Sequence, residues 1–161
     1  MRGWCSLLAL SPLAACAGAS AEVEGSAGGI QFGSTDYVYW GSRYVVVSMV
    51  EVECTGVDWV ERNYDEGVPP TTIDTSVLQF TFAGDELTTG KSAVQQGGQV
   101  QATVVNVDAG VFNETNATGG TVTIDAFEDE GMAEGSFDAV TFEDGSVSGT
   151  FTAEWCRNLK P

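Results

Sequence analysis

The chain contains no histidine, so the side chain that most often serves as a general base near neutral pH, and most often ligates transition metals, is missing. Ser-His-Asp and Cys-His mechanisms are thereby excluded. What remains for chemistry is 23 Asp and Glu, four Cys and a group of aromatics. Paired carboxylates can hydrolyse glycosides, but among 23 acids in 161 residues some pair falls at any chosen separation, and spacing singles none out. The chain therefore reads as a non-enzyme with no cofactor. The run Asp125-Ala126-Phe127-Glu128-Asp129-Glu130 offers the hard oxygen ligands that Ca²⁺ accepts, with Asp125, Glu128 and Glu130 as weak candidates. It lacks the D-x-D-x-D-G spacing of an EF-hand, and a charged hairpin loop is the favoured reading, since acids keep sheet ends soluble and discourage edge pairing. Tyr37, Tyr39, Trp40, Tyr44 and Trp59 concentrate aromatic surface in one stretch. Tyr39, Trp40 and Trp59 are the candidates for stacking a sugar or an apolar ligand, against the commoner fate of strand aromatics, which is to fill a core.

The sulfur chemistry starts in the leader. Residues 1–15 carry one charged side chain, Arg2, then an apolar stretch through Leu7, Leu8, Ala9, Leu10 and Leu13, then small residues, which is a signal-peptide layout. The stretch is shorter than the roughly 20 apolar residues of a membrane-spanning helix, and Pro12 would interrupt one. It ends in Leu13-Ala14-Ala15-Cys16, which resembles the lipobox of bacterial lipoproteins at all four positions. The resemblance implies that the Cys16 thiol receives a diacylglyceryl group and that the leader is cut between Ala15 and Cys16. The freed amino group is then acylated. Two or three acyl chains exceed the single chain that gives only marginal attachment, so the implied partner is a lipid bilayer of the bacterial envelope. Ala17 rather than Asp follows the cysteine, which in the enterobacterial sorting pattern points to the outer membrane, with the domain on the periplasmic side or the exterior left open. The alternative is ordinary signal peptidase at Ala19-Ser20-Ala21, which would release a soluble secreted protein. Cys5 leaves with the leader and Cys16 is lipidated, so Cys54 and Cys156 remain. In an oxidising compartment they are expected to form one disulfide across about 100 residues, the alternative being two buried thiols; Trp155 is expected to cover it.

These groups must be positioned by strands. Gly, Thr, Val, Ser and Phe recur, while Leu and Lys are scarce, a composition of sheets and turns. Residues 16–29 are expected to be the lipidated cysteine and a flexible tether, because AGASAEVEGSAGG shows no hydrophobic period. Residues 30–161 form the expected single domain. Val46, Val50, Val52 and Cys54 share one face of a run from Arg43 to Cys54, and Leu78, Phe80 and Phe82 alternate with Gln79 and Thr81. Val100, Ala102 and Val104 repeat the alternation, as do Val122, Ile124 and Ala126, the mark of half-buried strands. Turns are expected at 56–72, 83–86, 108–116 and 119–120. The sequons at Asn113 and Asn116 are read as turn residues. Gly135-Ser136-Phe137-Asp138-Ala139 recurs as Gly149-Thr150-Phe151-Thr152-Ala153. A loop over 144–146 would set Ala139 opposite Phe151 and Phe137 opposite Ala153, pairing large with small. Cys156 then falls on the face opposite Phe151 and requires a bulge or an outward-facing bridge.

The expected fold class is all-β, an antiparallel β-sandwich or β-barrel of about eight strands with one disulfide. The stretch from Cys54 through Trp59, Tyr64 and Pro69-Pro70 to Phe80-Thr81-Phe82, with the Gly-[ST]-Phe hairpin and terminal cysteine, resembles uncharacterised secreted β-domain lipoproteins. Loss of the leader removes Arg2 and no acid, so 5 Lys+Arg face 23 Asp+Glu, a formal charge of −18 against −17 for the whole chain. Such a field repels nucleic acid. Two roles follow: a structural or protein-interaction lipoprotein of the envelope, or a module that binds carbohydrate, a small apolar ligand or Ca²⁺.

Overall fold

The structure is a computed structural model that describes residues 18–54, 74–84, 86–108 and 111–159. Residues 1–17, with Cys16, and 55–73, with Trp59 and the turn expected over 56–72, lie outside the described residues. Among the described residues the named elements are twelve strands: β1 (Ser20–Ala27), β2 (Ile30–Gln31), β3 (Ser34–Thr35), β4 (Tyr37–Gly41), β5 (Tyr44–Ser48), β6 (Thr75–Phe82), β7 (Gly90–Ala93), β8 (Val100–Asp108), β9 (Val111–Asn116), β10 (Gly119–Phe127), β11 (Met132–Phe142) and β12 (Gly145–Trp155). There is no helix among them long and apolar enough to cross a membrane.

The strands form one curled sheet, ordered β7-β10-β11-β12-β4-β5-β6-β8-β9, with β1 paired to β12 and carrying β2 and β3. Neighbours run antiparallel except β12 and β4, which are parallel over Glu154–Trp155 and Tyr39–Trp40. Val94, just beyond β7, donates its N–H to the Gly120 carbonyl at 3.0 Å and bridges Val100 at the start of β8. Period-2 alternation then sorts the side chains, with Val45, Val47, Leu78, Phe80, Phe137 and Phe151 in the inner core. Each such side chain removed from water contributes about 1.5–3 kcal/mol.

Residues 20–27 are a strand and not a tether. Ser20 to Ser26 pair with Thr152 to Ser146 of β12, and Ala21, Val23 and Ala27 are buried. The alternation is carried by Ala21, Val23 and Ala27, of which only Val23 is strongly apolar, so its hydrophobic signal in the sequence is weak. Burial succeeds because the strands meet through glycine: a Cβ on Gly149 would strike the Glu22 carbonyl, and one on Gly145 would strike that of Ser26. The folded unit therefore begins at about Ser20, ten residues before the expected boundary.

The last hairpin keeps its repeat but not the expected register. Glu143 and Asp144 alone form the loop between Phe142 and Gly145, and Gly135 faces Phe151 while Phe137 faces Gly149. Large does pair with small, with glycine and not alanine as the small partner. A Cβ on Gly135 would lie 2.6 Å from Phe151 Cζ, and one on Gly149 would lie 2.9 Å from Phe137 Cζ. Each ring thus covers the other strand's glycine. A bulge between Phe137 and Val140, with Ala139 at φ 48°, turns Ala139 outward and Val140 and Phe142 inward.

Two other expectations change. The run from Arg43 to Cys54 is a strand only through Ser48; beyond it, Ser48 Oγ donates to the Val50 carbonyl at 2.7 Å and the chain bends away. The region expected to be turn over 108–116, including Asn113 and Asn116, contains β9, paired with β8 from Asp108↔Val111 to Thr103↔Asn116. Gly119 and Gly120, also expected to turn, open β10. As an outer strand β9 has no fully buried residue on either face, so no alternation marked it.

Candidate functional site

The aromatic candidates separate by strand parity. Trp40 points inward from β4 and is 3 % exposed. Its Nε1 donates to the Gly131 carbonyl at 2.9 Å, the same oxygen that accepts the Trp155 backbone N–H at 3.1 Å. The Trp155 ring packs edge-on to Trp40 with centroids 4.6 Å apart, and Phe127 lies tilted against Trp40 at 5.4 Å. Trp155 Nε1 is buried without a hydrogen-bond partner. Phe127 closes this group at the sheet's end and stays 37 % exposed, one of two large apolar side chains so exposed among the described residues. Trp40 is thus a core residue with one wet neighbour and no open stacking platform.

Tyr39, one residue earlier, faces the other way. Its hydroxyl donates to the Val52 carbonyl at 2.8 Å. Burial raises its pKa above the ordinary 10.0, with Glu154, Glu53 and Tyr37 adding to the shift, because a phenolate there would be poorly hydrated and face other negative charge. Tyr39 packs on a second, smaller core on the outer face, made of Tyr44, Val46, Val77, Cys156 and Leu159. The disulfide belongs to this second core. Cys54 and Cys156 are bonded with Cα atoms 5.5 Å apart, and Cys156 is fully buried. The parity conflict at Cys156 is resolved by the outward-facing bridge, since β12 ends at Trp155 and the tail folds over the outer side of β4 and β5. Trp155 does not cover the bridge, because its ring belongs to the inner core; Leu159 and Tyr44 take that place. Arg43 lies over the Tyr44 ring at 5.0 Å and donates to its hydroxyl through Nε at 3.0 Å and Nη2 at 2.7 Å.

Asp125, Glu128 and Glu130 are all exposed, and among the described residues no three acids or cysteines form a group able to hold a metal ion. The structure does not assemble them into a ligand set. Glu128 closes the β10–β11 turn through backbone hydrogen bonds, accepting from Gly131 N–H at 2.9 Å and donating to the Met132 carbonyl at 2.9 Å. A shallow groove of about 90 Å³ runs along Ser20, Ala21, Glu22, Thr150, Phe151 and Thr152, where β1 meets β12. Cys16, Ala15 and Trp59 lie outside the described residues.

Sequence reasoning missed two features. Phe127 lies within an acidic run that reads as a loop, although an aromatic flanked by acids at a strand end is the available signal. Asp144 reads in the sequence only as a turn residue. It accepts the N–H groups of Gly28 and Gly29, one on each carboxylate oxygen, both at 3.0 Å, and these bonds hold its pKa below the ordinary 3.8. Nothing in the sequence links positions 115 and 116 residues apart. Comparison with known protein families, with curated proteins and with solved structures found no match.

Proposed function

We propose that the chain is a lipid-anchored protein of the bacterial envelope, held on the outer membrane by acyl groups on Cys16, whose β-domain serves a structural or protein-interaction role. The observation that carries this is the sequence Leu13-Ala14-Ala15-Cys16 behind an apolar leader. The position of β1 weighs against the soluble alternative. Cleavage after Ala21 would strip Ser20 and Ala21 from β1, and Ala21 is buried opposite Phe151. Cleavage before Cys16 leaves the strand whole. The curled half-barrel sheet packs core side chains such as Val45, Leu78, Phe80 and Phe151 on its inner face, which supports an interaction role over a ligand module. Expression with labelled palmitate tests the anchor: the native protein takes up label and Cys16→Ala does not. Native protein free of label, with an amino terminus at Glu22, would overturn it.

A further inference from the structure

In the envelope-anchor reading, the distance from membrane to domain is set by the chain between Cys16 and the first residue fixed in the sheet. That residue is Ser20, paired with Thr152, and Ala19 already packs against the inner core. Four residues span at most about 14 Å when fully extended. A tether running to residue 29 would have let the domain tumble freely; this one cannot. The part of the molecule nearest Ser20 is therefore the part nearest the lipid.

Register identifies that part. Ser20, Thr152, Glu134 and Ala126 lie in one row across β1, β12, β11 and β10. Just beyond the row, toward the strand ends, come Phe127, the Glu128–Gly131 turn, Met132 and the Trp40–Trp155 pair. The other end of β12 carries the Glu143–Asp144 turn and, bonded to it, Gly28 and Gly29. From Thr152 to Gly145 a strand runs roughly 24 Å, which exceeds the length of the leash.

We propose that the end of the sheet bearing Phe127 and Trp155 is held against the bilayer surface, with the Asp144 turn facing away from it. This rests on lipidation of Cys16. Exposed Phe127 is an apolar side chain suited to the boundary between head groups and acyl chains, and half-buried Trp155, with its Nε1 buried, backs it from the core. Glu128, Asp129 and Glu130, all exposed at the same end, select for zwitterionic over anionic head groups.

Lipidated full-length protein reconstituted into phosphatidylcholine vesicles tests the orientation. One extra cysteine at a time, Asp129→Cys or Glu143→Cys, is labelled with a fluorophore, and a nitroxide is placed on the lipid head groups. The label at 129 is expected to lose several-fold more emission than the label at 143. Adding phosphatidylglycerol weakens quenching at 129, and salt restores it. Palmitate-bearing protein in which both labels are quenched equally, or 143 more strongly, overturns the orientation while leaving the anchor intact. Quenching of neither label overturns it too and leaves the face to a protein partner. Absence of palmitate removes the anchor and this orientation together.

Discussion

Asp144 accepts one N–H from Gly28 and one from Gly29, and so joins the turn after β1 to the turn before β12. Its carboxylate must be ionised to accept both well. Because its folded pKa lies below the ordinary 3.8, the stabilisation is complete above that value and is lost as pH falls through the lower folded value. Asp144→Asn is therefore expected to melt below the native protein at neutral pH. The gap should narrow as pH is lowered beneath about 3.8, read by circular dichroism; a gap constant with pH would remove this role. Tyr39 has the opposite sign. Its folded pKa is raised above 10.0, so its hydroxyl bond to Val52 stabilises fully below pH 10.0 and is lost as pH rises through the folded value. Tyr39→Phe is expected to cost about 1 kcal/mol in urea unfolding at neutral pH, with the difference shrinking in alkali. The hydroxyl's partner was not legible in the sequence, because Val52 O is reached only after the chain bends at Ser48.

The β11–β12 hairpin shows how an element is specified by reciprocal pairs. Two Gly-x-Phe units in antiparallel strands can match each ring to the opposite glycine in only one way, and the structure adopts it. Gly149 serves both neighbours of β12, since a side chain there would meet Phe137 on one side and the Glu22 carbonyl of β1 on the other. Gly149→Ala is expected to destabilise by about 1–3 kcal/mol through overpacking, measured by urea unfolding. A neutral effect would show that β1 is not seated on β12. The expected register pairs each ring with alanine across a three-residue loop, whereas the loop holds two residues and a bulge between Phe137 and Val140 shifts the pairing by one more.

At the scale of the molecule, the disulfide ties the segment after β5 to the residue after β12, a separation of 102 residues. Closing a loop of that size is worth about 4–5 kcal/mol in the chain-entropy model. Replacing both Cys54 and Cys156 with serine is expected to lower the melting temperature by more than any single surface change, with the β-sheet circular dichroism retained at low temperature. A double variant that melts like the native protein would show that the outer core alone holds the tail. The inner core and the outer core share β4, β5 and β6 between them, which is why β5 is buried on both faces.

Amino-acid order alone determined the absence of imidazole chemistry and the all-β class, and it led to the expectation that Cys54 pairs with Cys156. These follow from local signals: a missing residue type, a period of two, and two cysteines left beyond the expected leader. Tertiary structure decided what depends on partners far along the chain. It made a strand of Ser20–Ala27, because glycines in β12 allow small side chains to be buried; it placed Trp40 inside and Tyr39 outside; it moved Trp155 away from the disulfide. It also brought Asp144 to Gly28 and Gly29. Side chains of weak hydrophobicity carry little local signal, and only the surface they meet determines whether they are buried.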